Sequence, residues 1–266
     1  MSAFVPPYSL DTLLAIMERL RDPEQGCPWD QRQTFDSVVP HSIEEVYEVA
    51  EAIRQQNFSE LRLELGDLLF QVVFYAQLAK EQQYFDLNGV IDGVCEKLIR
   101  RHPHVFGECE FANEAQINTN WEREKAKERE QKSAQSVLDD VPLALPALSR
   151  AQKLQKRAAN IGFDWPDAEM VSDKVAEELD EVRAEQQSKN QEALAEEIGD
   201  LMFACVNLAR KHHFDSETLL RRANDKFERR FRQVEAKAKA SNKSIDEHTL
   251  DELEDYWQQV KCTEKN

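Results

Sequence analysis

The sequence predicts an all-α protein of two tandem four-helix-bundle-like domains that arose by internal duplication. Three observations carry that expectation. The stretch IEEVYEVAEAIRQQNFSELRLELGDLLF, residues 43–70, returns 133 positions later as AEELDEVRAEQQSKNQEALAEEIGDLMF, residues 176–203, with 13 identities over the 35 aligned pairs from Ser42/Val175 to Ala76/Ala209. Apolar residues recur at helical spacing rather than in alternation. Only 7 glycines and 9 prolines punctuate 266 residues, which leaves few turns for a sheet protein.

Taken in order, the first helix is expected over 10–21, with Ser9 or Asp11 as its cap and Leu13, Leu14, Ile16, Met17 and Leu20 supplying its apolar positions. The loop PEQGCPWD follows, where Trp29, beside a proline, is expected to plug the end of the bundle rather than wall a substrate site. Helices at 42–56 and 59–83 carry the first copy of the repeat, and Ser42 with Glu45 reads as a possible capping box. Gly66 and its counterpart Gly199 each cost their helix about 1 kcal/mol relative to alanine, so a helix or ligand is expected to approach there. A helix at 87–101 runs from the cap Asp86 to Pro103.

Residues 105–143 read as a connector of turn composition followed by the polar helix WEREKAKEREQKSAQS. Trp121 with Lys125 repeats as Trp257 with Lys261, which sets the domains at 1–134 and 135–266. In the second half, helices are expected at 145–160, 168–187, 191–212, 216–240 and 250–262, with Trp165 in the loop IGFDWPD roughly where Trp29 stood.

The repeat preserves four carboxylates in register: Glu45, Glu48, Glu64 and Asp67 in one copy, Glu178, Glu181, Glu197 and Asp200 in the other. Residues three apart share a helix face, and a chain reversal midway returns the second pair to the height of the first at about 1.5 Å per residue. Leu61, Leu68, Phe70 and Phe74 flank the acidic pair on an apolar face. Like charges crowded there repel and lose hydration, so a hard cation, Mg²⁺ or Mn²⁺, is expected among them. A cap explains one copy only, because Val175 replaces Ser42 and cannot cap while Glu178 keeps its place. Glu44 and Glu177, one residue before a ligand and about 100° round the helix, are placed either to orient a water or as plain surface charge.

A net charge of −17 argues against a nucleic-acid surface. Five scattered cysteines read as reduced thiols of a cytoplasmic protein. The N-terminus lacks the pattern of a secretion signal, and the longest apolar stretch is too short to span a bilayer, so no membrane partner is expected. Lys97 and Arg101 match Lys226 and Arg230 in EKLIRR and DKFERR, each pair on one helix face and suited to phosphate. The tryptophan of each W-x-x-x-K element either stacks on a base or docks on its own domain.

Glu-Glu-x-x-Glu followed by Glu-x-Gly-Asp, in duplicate, with CPWD upstream and KFERRFRQVE downstream, resembles the MazG family of all-α nucleoside triphosphate pyrophosphohydrolases. The resemblance covers nearly the whole chain. It implies a homodimer, Mg²⁺ held by the carboxylates, and cleavage of a nucleoside triphosphate to the monophosphate and pyrophosphate. By the same resemblance Glu178, Glu181, Glu197 and Asp200 are metal ligands, and Lys174, Glu178, Lys226, Arg229, Arg230 and Trp257 meet the nucleotide. Ala193 departs from the pattern, standing where related chains can carry a lysine. The alternatives are an acidic helical scaffold without activity, which requires solvent-facing acidic helices, and a metal phosphohydrolase for a different nucleotide.

Overall fold

The computed structural model describes residues 4–131, 135–241 and 243–264, and no strand occurs among them. The chain divides into two compact units, residues 1–126 and 127–266. In the first unit, α1 (Leu10–Leu20), α3 (Phe35–Arg54), α4 (Phe58–Glu81) and α5 (Leu87–Arg101) are accompanied by the short α2 (Pro28–Gln31) and α6 (Pro103–Phe106), and α7 (Glu114–Gln131) begins in it and ends in the second. The second contains α8 (Ala147–Ala159), α9 (Ala168–Ser188), α10 (Gln191–Lys211), α11 (Ser216–Ala240) and α12 (Leu250–Thr263), with one 3₁₀ turn at Ile245–Glu247.

Local capping sets most of these boundaries. Ser9 and Thr12 satisfy each other's backbone N–H at the start of α1, and the Asn57, Asp86, Asp167, Asn190 and Asp215 side chains each accept a backbone N–H in the first turn of the helix they precede. α3 departs from the expected start. Thr34 and Ser37 form a reciprocal box at its head, so the helix begins at Phe35 and carries Pro40 through its second turn. Ser42 therefore lies inside the helix, donating to Val38 O at 3.2 Å, and the capping explanation for Glu45 falls away. α7 also starts earlier than its composition suggested, because Asn113 Oδ1 accepts from Gln116 N at 3.1 Å and Gln116 Oε1 accepts from Ala112 N. Residues 132–134 of the expected polar helix lie outside the described residues.

The core of the first unit is Met17, Val38, Val73, Phe74, Ala76, Leu78 and Leu87, with Leu13, Leu14, Phe35, Phe70 and Tyr75 packed against it. Arg21 closes its end. Its guanidinium donates to both oxygens of Glu81 at 2.7 and 2.6 Å, reaches the carbonyls of Asp30 and Gln33, and lies 5.5 Å from the Phe74 ring centroid. The loop is thus held through its backbone, and Trp29 does not plug the bundle end: it is 47% exposed, edge-on to His41 at 5.8 Å.

In the second unit Val171, Val182, Ala204, Val206, Val234, Ala238 and Val260 are buried. Gln152 ties α8 to the head of α11, accepting from Ser216 N at 2.8 Å and donating to Phe214 O at 2.9 Å. Gln155 Nε2 ties α8 to α10 through Phe203 O at 2.8 Å. Each W-x-x-x-K tryptophan docks on its own unit. Trp121 lies under Arg101 at 5.1 Å, and Trp257 meets Arg230 at 5.9 Å and Phe227 at 5.5 Å.

Candidate active site

Both carboxylate sets sit on helix hairpins, α3 with α4 and α9 with α10. The reversals come at Gln56 and Lys189, equivalent positions in the repeat, with left-handed φ of 54° and 60°. The duplication has preserved even a backbone conformation that costs a non-glycine residue about 1 kcal/mol. The hairpins return the second acidic pair beside the first, as the spacing requires. Carboxylate oxygens of Glu45, Glu48 and Glu64 lie within 4.8 Å of one another, as do those of Glu178, Glu197 and Asp200. Asp67 and Glu181 stand just outside these groups but act on them electrostatically.

Glu45 is held above the ordinary carboxylate range by burial, then by the charges of Asp67 and Glu48. Glu64 is raised by burial and by its contact with Glu60. Glu197 is raised by burial, then by Glu181, Asp200 and Glu178. Three hard oxygens crowded together form a donor set suited to a hard divalent cation.

The two sites differ in their cations. Lys174 Nζ stands 2.8 Å from Glu178 and 2.8 Å from Glu177, and the bonds to Glu177 and then Glu178 raise its pKa. Glu178 is buried and Glu177 exposed, so the lysine bridges the inner and outer carboxylates of α9. At the matching position of the first unit His41 comes no nearer than 4.0 Å to Glu44.

A cavity of about 320 Å³ opens beside the second cluster, walled by Phe163, Trp165 and Phe203 and reaching Lys174, Glu178 and Asp200. The tryptophan that lines this cavity is Trp165. Lys226, Arg229, Arg230 and Trp257 do not line this cavity. Arg229 and Arg230 instead share the carboxylate of Glu264, at 3.1 and 2.7 Å. Gly66 and Gly199 leave open space where a Cβ would stand, so none of the described helices uses the gap. Sequence reading missed Asp164, Asn207 and Arg210, which also line the cavity. The available signal was the contrast between the halves, since Arg210 and Lys211 replace Gln77 and Leu78.

The MazG nucleotide pyrophosphohydrolase domain matches this chain twice, over residues 33–106 and 167–235, the segments that hold the two carboxylate hairpins. The chain belongs to the MazG family. It is 52% identical over 257 residues to a nucleoside triphosphate pyrophosphohydrolase of Escherichia coli K12, covering 96% of this chain and 98% of that one. A Thermotoga maritima relative, nucleoside triphosphate pyrophosphohydrolase/pyrophosphatase MazG, is 43% identical over 94% of this chain and 95% of its own length. The Bacillus subtilis protein YabN is 40% identical over 99% of this chain, which spans 55% of it. Both MazG segments keep their four carboxylates. The cavity reaches Lys174 in the second segment, and Trp165 joins its wall from the loop just ahead of that segment.

Proposed function

We propose that this chain is a Mg²⁺-dependent nucleoside triphosphate pyrophosphohydrolase, releasing a nucleoside monophosphate and pyrophosphate from NTPs and dNTPs. The observation that carries the reading is the second carboxylate cluster opening onto an aromatic cavity, with a lysine at its edge. Glu178, Glu181, Glu197 and Asp200 hold the metal, and Glu45, Glu48, Glu64 and Asp67 form a second, weaker set. The chemistry that a bound Mg²⁺ supplies is neutralisation of phosphate charge and activation of water. Lys174 offers positive charge to a phosphate, while Glu177, oriented by Lys174, accepts a proton from the attacking water at its carboxylate. The aromatic walls take the nucleoside. Lys226, Arg229, Arg230 and Trp257 belong to the same proposal as nucleotide contacts, and for the two arginines this requires phosphate to displace Glu264.

The test is one incubation of purified protein with each NTP and dNTP, in Mg²⁺ or in EDTA, with products separated. Monophosphate plus pyrophosphate is expected, and none with EDTA; diphosphate plus phosphate, or full activity in EDTA, overturns the reading. Mg²⁺ or Mn²⁺ is also expected to raise the melting temperature, because a ligand that binds only the folded chain stabilises it by mass action.

The proposed division is into domains 1–134 and 135–266, and the proposed assembly a cytoplasmic homodimer. No described helix is long and apolar enough to cross a membrane. Val39, Ile43, Val46, Leu65, Leu69 and Val72 on α3 and α4 are all exposed, an apolar face beside the open space at Gly66. Such a face is the usual mark of a subunit contact. Light scattering at micromolar concentration is expected to return twice the 30.8 kDa of the chain; a monomer with full activity refutes the dimer.

A further inference from the structure

The loop between α8 and α9 turns at Gly162, whose φ is +90°, and delivers Phe163, Asp164 and Trp165 to the cavity wall. Asp164 is gripped by two cations from the last turn of α10. Arg210 approaches its carboxylate with both terminal nitrogens, Nη1 at 3.2 Å from Oδ2 and Nη2 on Oδ1, and Lys211 Nζ lies 3.3 Å from Oδ2. The arginine and lysine side chains are each 14% exposed and the aspartate 22%, so the group is largely withdrawn from water. A two-pronged guanidinium–carboxylate pair fixes direction as well as distance.

The same cations reach the neighbours of Asp164. Lys211 Nζ donates to Trp165 O at 2.6 Å, pinning the backbone that carries the indole. Arg210 uses its remaining edge, Nε, to donate to Asn207 Oδ1 at 2.9 Å. Only the oxygen of that amide can accept, so its orientation is set and Nδ2 is left as the donor. One carboxylate thus anchors an aromatic wall and, through Arg210, a polar group of the same cavity. The first unit cannot build this clamp, because Gln77 and Leu78 occupy the aligned positions.

We propose that Asp164 is a positioning residue for nucleoside binding: through Arg210 and Lys211 it fixes Trp165 and Asn207 as the surface against which the nucleoside of the substrate packs. The inference rests on the pyrophosphohydrolase reading above and adds to it where the second site gains its hold on the nucleoside. Asp164 touches neither the phosphates nor the carboxylate cluster in this account, so it acts on KM and not on the chemical step.

The test uses the full chain with Mg²⁺, ATP as substrate and inorganic tripolyphosphate, which has no nucleoside, as competitor. For Asp164→Asn the expected result is a KM for ATP raised about tenfold, roughly 1.4 kcal/mol of lost binding, with kcat within about twofold and the Ki of tripolyphosphate unchanged. Lys211→Met, which leaves the Arg210 pair in place, should raise KM by a smaller factor, and it decides the matter if Asp164→Asn does not fold. An unchanged KM overturns the proposal, and so does a Ki for tripolyphosphate that rises in step with KM. Failure of the underlying reading looks different: the wild-type chain then forms no pyrophosphate from ATP, or tripolyphosphate does not compete with it.

Discussion

Glu197→Gln is expected to lower kcat for nucleoside triphosphate hydrolysis on the order of 100-fold or more, while Glu64→Gln leaves it within about threefold. The two residues are equivalent in the repeat, and both belong to groups of three carboxylates within 4.8 Å. The carboxylates themselves therefore cannot decide between the halves. The surroundings can. In the second unit a lysine stands 2.8 Å from a buried member of the cluster, and an aromatic cavity adjoins it. In the first unit a histidine takes the lysine's place and stands 4.0 Å from Glu44. Arg101 lies in the last turn of α5, where the helix dipole alone favours a cation, whereas Lys226 and Arg230 lie within the run of α11. That last contrast weighs less than the sequence suggested, because Arg230 is occupied by Glu264 and Trp257. Lys174 and the cavity carry the assignment. Loss of turnover in Glu64→Gln with retention in Glu197→Gln would reverse it.

What was legible in the sequence follows the range of the interactions concerned. Helix ends set by a cap within three residues, such as those after Asp86, Asp167 and Asn190, could be read directly. The head of α3 was misplaced because Ser42 with Glu45 has the form of a capping box, whereas the reciprocal Thr34–Ser37 pair starts the helix at Phe35 and leaves Ser42 inside it, bonded back to Val38 O. The carboxylate clusters were legible because helix geometry and duplication fix them together. Trp29 was not, since its exposure depends on Arg21 holding the loop by backbone carbonyls. Asp164 and Arg210 are 46 residues apart, so no local pattern joins them. The ion pair of Arg230 with Glu264 was not legible either, because the two stand 34 residues apart.

Arg21→Met is expected to destabilise the first unit by about 2–3 kcal/mol while leaving kcat nearly unchanged, an outcome read from urea melts beside steady-state assays. The side chain of Arg21 is 8% exposed and serves four groups at once: two carboxylate oxygens and two carbonyls. Methionine fills much of the volume but donates nothing, so Glu81 and the two carbonyls lose their partner. The cost stays below that of a fully buried pair because the Glu81 side chain is 33% exposed and water screens the remaining charge. Burial pushes the Glu81 carboxyl up, but the hydrogen bonds from Arg21 and Gln77 outweigh it and hold its pKa below the ordinary 4.5. A depressed folded value means that the pair stabilises fully above the unfolded pKa and loses its contribution as pH falls through the folded one. The gap between wild type and Arg21→Met should therefore hold steady at neutral pH and narrow below about pH 4. Stability curves that stay parallel down to about pH 3 would show that the carbonyl contacts, and not the ion pair, are what Arg21 contributes.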